Sequence, residues 1–271
     1  MKPSMIFVFW SEGNAQTVPF VFLALLLVSL LLRGFLLRKN EKIRNLPFLL
    51  ITITLVSLEI VKQIREHSFG SISLRAIPLY YSSIFLYIFP VANFSWGRFS
   101  RFMKGIAGTT STIAGYFLLL NPHDVIGEHT AAFFTSFPDF HTVFYHYALL
   151  FYALLFLLLE VHVPEPKKDL KRLYATLAIY SVIGGIAANV LQTNYNSFYT
   201  SGFPPIEALR QQYVALWGFV PTQVVYVFLV FVSMIGFGTV SYLIYVLLTK
   251  LLVHSHRKRD ERKALRAVRV N

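Results

Sequence analysis

The chain has 271 residues, 55% of them hydrophobic and 14% charged, with a formal net charge of +12. Soluble domains carry about 25% charged residues, so this balance points to an integral membrane protein with no separate soluble domain. Zero cysteines exclude disulfides, zinc–thiolate sites and a thiol nucleophile.

Apolar runs approach or exceed roughly 18 residues in several places, the length that crosses a bilayer as a helix. In chain order they predict seven spans, at about 18–37, 46–63, 76–93, 104–120, 141–161, 173–192 and 219–249. The expected fold is an all-α polytopic helix bundle, one membrane domain over 1–271 with a basic tail at 250–271. The first run reads as a true span: its N-flank carries only Lys2, and the basic cluster follows it, the reverse of a signal peptide.

Lysine and arginine fix the expected orientation. Twenty fall on one side of the predicted spans: Arg33, Arg38, Lys39, Lys42 and Arg44; Arg98, Arg101 and Lys104; Lys167, Lys168, Lys171 and Arg172; and eight in the tail. The other side has five: Lys2, Lys62, Arg65, Arg75 and Arg210. The N-terminus is therefore expected outside and the C-terminus inside. This asymmetry accounts for most of the +12 charge, so the charge is not read as a nucleic-acid signal. The tail reads as a topology anchor against anionic lipid.

With about 1.5 Å of rise per helical residue, the polar residues can be placed by depth. Glu59, Lys62 and Gln63 fall near the outer end of the second span. Ser82 lies in the third, His146 in the fifth, and Asn189, Gln192, Thr193 and Asn194 close the sixth. Trp217, Pro221, Thr222 and Gln223 begin the seventh. These residues share one layer in the outer leaflet, and few comparable groups are expected in the inner halves. Ionisable groups within spans are costly and mark bundle interiors or wet cavities. Spacing adds pairs: Glu59 can meet Lys62 and Gln63, and Arg75, Pro78 and Ser82 fall on one helical face. Asp139 can cap the fifth span. His141 and His146, five apart, point about 140° away from each other on a helix. No H-x-x-x-H or H-E-x-x-H pattern occurs, so neither a metal nor another cofactor is expected.

IPLYYSSI at 77–84 resembles the L-P-L-H-L-C segment of the YwaF-type bacterial integral membrane proteins. SFPDFHTVFYHYALL at 136–150 resembles their F-P-D-F-H segment, NVLQTNYNSF at 189–198 their N-x-L-x-x-N-Y, and VALWGFVPTQVVYV at 214–227 the start of their last helix. The resemblance covers roughly 75–270. That family looks distantly related to animal membrane acyltransferases that remodel ether phospholipids. The resemblance implies a multi-pass protein of the bacterial cytoplasmic membrane, with membrane lipid as partner and phospholipid as substrate. Carried over by position, Ser82 stands where that group has a cysteine and His146 stands for its histidine. Asn189, Asn194 and Tyr195 match polar positions of the family. Serine replaces the cysteine at 82 and tyrosine replaces a histidine at 80.

Two readings follow. In the first, His146 takes the proton of Ser82 Oγ and the serine attacks a lipid ester. Asn189 or Asn194 then faces the oxyanion, Arg75 holds a phosphate, and Tyr80 and Tyr195 line the cavity. In the second, the same cavity belongs to a lipid or small-molecule binding protein or transporter without enzymatic activity.

Overall fold

Each long apolar run becomes a helix, because in a bilayer only intrachain hydrogen bonds can satisfy the backbone. The structure, a computed structural model, describes residues 12–68, 74–127 and 129–270, with the side chains of 12, 14, 15, 75 and 253–270 outside that description. The helices are α1 (Glu12–Leu36), α2 (Glu41–His67), α3 (Phe85–Phe94), α4 (Gly97–Leu120), α5 (Pro122–Ile126), α6 (Phe137–Leu158), α7 (Pro166–Val190), α8 (Pro204–Trp217) and α9 (Phe219–Val270). Two 3-10 turns, Leu74–Ala76 and Tyr81–Ile84, precede α3. No strand occurs among the described residues.

Among the described residues, five helices are long and apolar enough to cross a membrane: Gln16–Leu36, Glu41–His67, Phe137–Leu158, Pro166–Val190 and Phe219–Leu252. The third and fourth expected spans take a different form. Pro78 lacks an N–H and restrains the residue before it, and Ile77–Tyr80 is not helical. The segment resumes as a 3-10 turn and then the ten-residue α3. α4 has the length, with 24 residues, but carries Arg98, Arg101, Lys104 and the polar run Thr109–Thr112. Those hydroxyls return to their own helix: Thr109 Oγ1 donates to Gly105 O at 2.9 Å, Thr110 Oγ1 to Ile106 O at 2.7 Å and Thr112 Oγ1 to Thr109 O at 2.7 Å. The whole run is buried, so α4 is the interior helix of the bundle.

The most extensive contact joins α4 to α6. Membrane helices gain little from hydrophobic exclusion among themselves, so small residues that allow close approach matter more. Gly108 is such a residue. A Cβ there would lie 1.8 Å from Cε1 of Phe156, whose ring covers the glycine. Around this contact Phe89 stacks on Tyr152 with centroids 3.8 Å apart, and Phe48 meets Tyr152 edge-on at 4.9 Å. One polar link crosses this core: Asn93 Nδ2 donates to Thr52 Oγ1 at 2.9 Å and lies 3.4 Å from the Tyr152 hydroxyl.

The end of the bundle where α7 begins is not as empty of buried polar groups as the sequence pattern predicts. Asp169 is fully buried and accepts from His162 Nε2 at 2.9 Å, Arg172 Nη1 at 3.1 Å, Tyr242 Oη at 2.9 Å and the Glu165 amide at 2.8 Å. Arg33 pairs with Glu160 at 2.6 Å. The carboxylate of Asp169 sits inside the run KKDLKR, where the linear pattern reads only a basic flank. Because every oxygen partner is present, the cluster joins α7 to α9 without leaving a buried charge unpaired.

Two outcomes are expected. Gly108→Ala displaces the Phe156 ring and lowers stability by about 1–3 kcal/mol, the range for overpacking a well-filled core; thermal unfolding in detergent measures it, and Phe156→Leu in the same chain restores most of the loss. Asp169→Ala strands the Arg172 guanidinium and leaves His162 Nε2 and the Tyr242 hydroxyl without their acceptor, at a cost of about 3–5 kcal/mol, whereas Tyr242→Phe costs less in the same assay.

Candidate functional site

The site is built around α2, whose last turns carry a buried carboxylate. Glu59 is 7% exposed. Its oxygens accept from Lys62 Nζ at 3.0 and 3.2 Å and from Gln63 Nε2 at 2.6 Å, the i+3 and i+4 pairs that the spacing predicts. A third partner comes from another helix. His141 Nε2 of α6 lies 3.2 Å from Glu59 Oε2, a close contact whose angle falls short of a full hydrogen bond. The linear spacing offers no hint of this contact, because it pairs residues only along one helix.

Gln63 then connects the carboxylate to the segment before Ser82, donating to Ala76 O at 2.6 Å. Pro78 breaks the helix there, and Tyr81–Ile84 forms the 3-10 turn that presents Ser82. Ser82 is half-buried and Ser83 buried. Tyr145, one turn after His141 on α6, donates its hydroxyl to Ser82 O at 3.0 Å, and its ring stacks on His141 with centroids 5.5 Å apart. Glu59, His141, Tyr145 and Ser82 thus form a continuous chain of contacts from α2 through α6 to the turn.

His146 follows Tyr145 and is half-buried. Its Nδ1 donates to Thr142 O at 2.8 Å, which leaves Nε2 as the basic nitrogen. No hydrogen bond joins Ser82 Oγ to His146 among the described residues. Arg75 falls in the Leu74–Ala76 turn, at the mouth the sequence assigns it, while its side chain lies outside the described residues. Asp139 pairs with His129 of the preceding loop rather than capping α6; Ser136 holds the cap position.

Tyr80, Asn189, Asn194 and Tyr195 meet around the segment that follows α7. Tyr195 is fully buried, donates its hydroxyl to Leu74 O and packs edge-on against Tyr80 at 5.3 Å. Asn189 Nδ2 donates to Gly185 O at 2.8 Å and Phe198 O at 3.2 Å. Asn194 is exposed, and its Oδ1 accepts from the Tyr199 and Thr200 amides at 3.3 and 3.2 Å. These bonds fold the 191–203 segment over the site. Gln192, Asn196 and Ser197 adopt positive φ to make its turns.

A hub that sequence reading passed over holds this cover in place. Arg210 of α8, counted there only as an outer cation, is buried; its Nη1 donates to Gln223 Oε1 at 3.0 Å and its Nη2 to Glu207 Oε1 at 2.7 Å. Gln223 Nε2 in turn donates to Phe198 O at 2.9 Å. Hydrogen bonds from Arg210 outweigh burial and hold the Glu207 carboxyl down at about 2, below its ordinary 4.5.

Two apolar cavities flank the turn. One, of about 310 Å³, is lined by Val56, Glu59, Gln63, Pro78, Leu86 and Tyr87. The other, of about 300 Å³, runs along Leu79, Tyr80, Ile84, Met103, Thr176 and Tyr180. Both include Pro78 and Tyr87, so the 78–88 segment is the wall between them.

The hub generates a pH prediction. A carboxylate with a depressed folded value stabilises the fold in full above its ordinary 4.5 and loses that contribution as pH falls toward about 2. The cover therefore keeps its order from neutral pH to about 4.5 and loosens below, and Glu207→Gln loosens it already at pH 7. Fluorescence of Trp217, in a variant with Trp10 and Trp96 replaced by Phe, reads the change.

No curated protein and no solved structure matches the chain significantly. The model of the TMEM164 family matches residues 9–233, a region that contains the broken third span, the α2–α6 carboxylate–histidine contact and the 191–203 cover. On that match the chain belongs to the TMEM164 family of membrane proteins.

Proposed function

We propose that the protein spans the membrane seven times, with its N-terminus outside, and performs acyl chemistry on a lipid at the outer leaflet. The lysine and arginine asymmetry supports this orientation. Burial of polar α4 inside the bundle supports counting it among the crossings.

The observation that carries the chemistry is the unwound turn before α3. Ser82 is lifted out of regular helix, in the 78–88 segment whose neighbouring residues Pro78, Ile84 and Leu86 line two apolar cavities of a size that suits acyl chains. Ser82 Oγ attacks the ester carbonyl carbon, and His146 Nε2 takes its proton. The lipid alkoxide leaves with that proton, and the acyl group stays on Ser82. Water or a lipid hydroxyl then accepts it, giving hydrolysis or transfer. Tyr80 lines one groove, and Arg75 at the turn's outer edge is the phosphate contact. Asn189, Asn194 and Tyr195 keep the cover closed: Asn189 donates to Phe198 O, Asn194 accepts from the Tyr199 and Thr200 amides, and Tyr195 ties the segment to Leu74 O. With the outer leaflet as the site, a phospholipid is the acyl donor. The same grooves without a reactive serine would make a lipid-binding protein.

A fluorescent fluorophosphonate applied to the protein in lipid tests the reading. Wild type labels, Ser82→Ala does not, and His146→Ala labels about 10²–10⁴-fold more slowly, the range for a general base. Absent labelling in wild type, or labelling that survives Ser82→Ala, overturns it.

A further inference from the structure

Glu59 and His141 are not used in the reaction above, although both are buried and they bring a carboxylate of α2 against an imidazole of α6. Glu59 holds three partners, from α2 itself and from α6. A buried carboxylate beside an imidazole fixes the ring's orientation and its tautomer. Glu59 meets His141 at Nε2, so Nδ1 is the ring nitrogen that does not face the carboxylate. The two histidines are five residues apart on α6, so they leave the helix in directions about 140° apart. Only His141 has a carboxylate against it: His146 bonds to a backbone carbonyl.

The cavities match this division. Glu59 and Gln63 line the 310 Å³ cavity, and neither lines the groove along Tyr80 and Tyr180. The Ser82 turn belongs to the wall between them. His141 reaches that wall through Tyr145, whose hydroxyl holds the Ser82 carbonyl.

We propose that the two sides of the Ser82 turn serve two half-reactions, and that the Glu59–His141 pair activates the acyl acceptor. The inference rests on the acyl-enzyme reading above. The acceptor is a hydroxyl compound, water or the free hydroxyl of a single-chain lipid. Its O–H proton goes to His141 Nδ1, its oxygen attacks the acyl carbon on Ser82, and the Ser82 Oγ–C bond breaks. The proton on His141 returns to Ser82 Oγ, directly or through one water, so both histidine and serine are restored. His141 is the catalytic residue of this step and Glu59 its positioning residue.

The test separates acylation from deacylation. Full-length protein in phospholipid nanodiscs is given a phosphatidylcholine with one fluorescent acyl chain, and acyl-Ser82 is followed by intact mass alongside product release. Glu59→Gln keeps the size and the hydrogen-bonding oxygen of the side chain. It is expected to slow product release ten- to a hundredfold, the usual effect of removing such a supporting partner. Acyl-Ser82 then accumulates, because product release slows far more than fluorophosphonate labelling does. Glu59→Asp recovers part of the rate, and His141→Ala slows release at least as much as Glu59→Gln. A purely structural role for Glu59 would lower thermal stability and slow labelling and release together, which overturns the proposal. Acyl-Ser82 that forms and clears at the wild-type rate in both Glu59→Gln and His141→Ala also overturns it and leaves the acyl-enzyme reading intact. Absence of both labelling and acyl-Ser82 in wild type overturns that reading, and the two-sided scheme falls with it.

Discussion

The carboxylate of Glu59 lies within the apolar length of α2, and the site end of the bundle is arranged around satisfying it. An isolated charge at that depth is expensive, and it persists only when partners come from within the protein. Lys62 and Gln63 come from the next turn of α2 and His141 from α6. Gln63 also anchors the strand of chain that leads to Ser82. One buried charge therefore sets the spacing of α2 against α6 and the position of the turn between α2 and α3. The helix break at Pro78 is stable for the same reason: the freed Ala76 and Leu79 carbonyls find donors in Gln63 and Tyr180.

The parts of this arrangement that were legible in the sequence are those with a local cause. Apolar run length gave the long helices, but the break at Pro78 interrupts a run that reads in the sequence as one continuous span. Spacing of three and four paired Glu59 with Lys62 and Gln63. Layering by depth brought Glu59, Ser82, His146 and Asn189 to one end. Contacts between helices were not legible, because helical spacing carries no information about which face meets which neighbour. His141 was therefore considered only as a metal candidate, and Tyr145 not at all. Asp169 was hidden in a basic run, and Arg210 was counted only as a charge. α4 illustrates the opposite limit: its threonines lower its apolar character, yet they satisfy themselves and sit in the centre of the core.

The two cavities bear on what kind of chemistry the fold can host. Both are apolar apart from the Glu59 side. In the proposed reaction they are the places for the hydrocarbon chains of the substrate, on either side of the 78–88 segment. The charged cluster around Asp169 at the other end is closed by its own hydrogen bonds. That division between an apolar-lined end and a self-satisfied charged end suits the proposed work on lipid.

The last helix is held at two heights. Near one end Gln223 and Tyr226 bond to the carbonyls of Phe198 and Ser197, and further along Tyr242 bonds to Asp169. Gln223 and Tyr242 are 19 residues apart, about 28 Å along a helix axis and close to the roughly 30 Å of a bilayer's hydrocarbon layer. α9 therefore works as a fixed-length strut. It cannot slide like a piston, so a thicker or thinner bilayer must be met by tilting the whole bundle or by deforming the lipid around it. Membrane thickness then becomes a variable that this protein transmits as a rigid body, with the cover over Ser82 carried at one end of the strut.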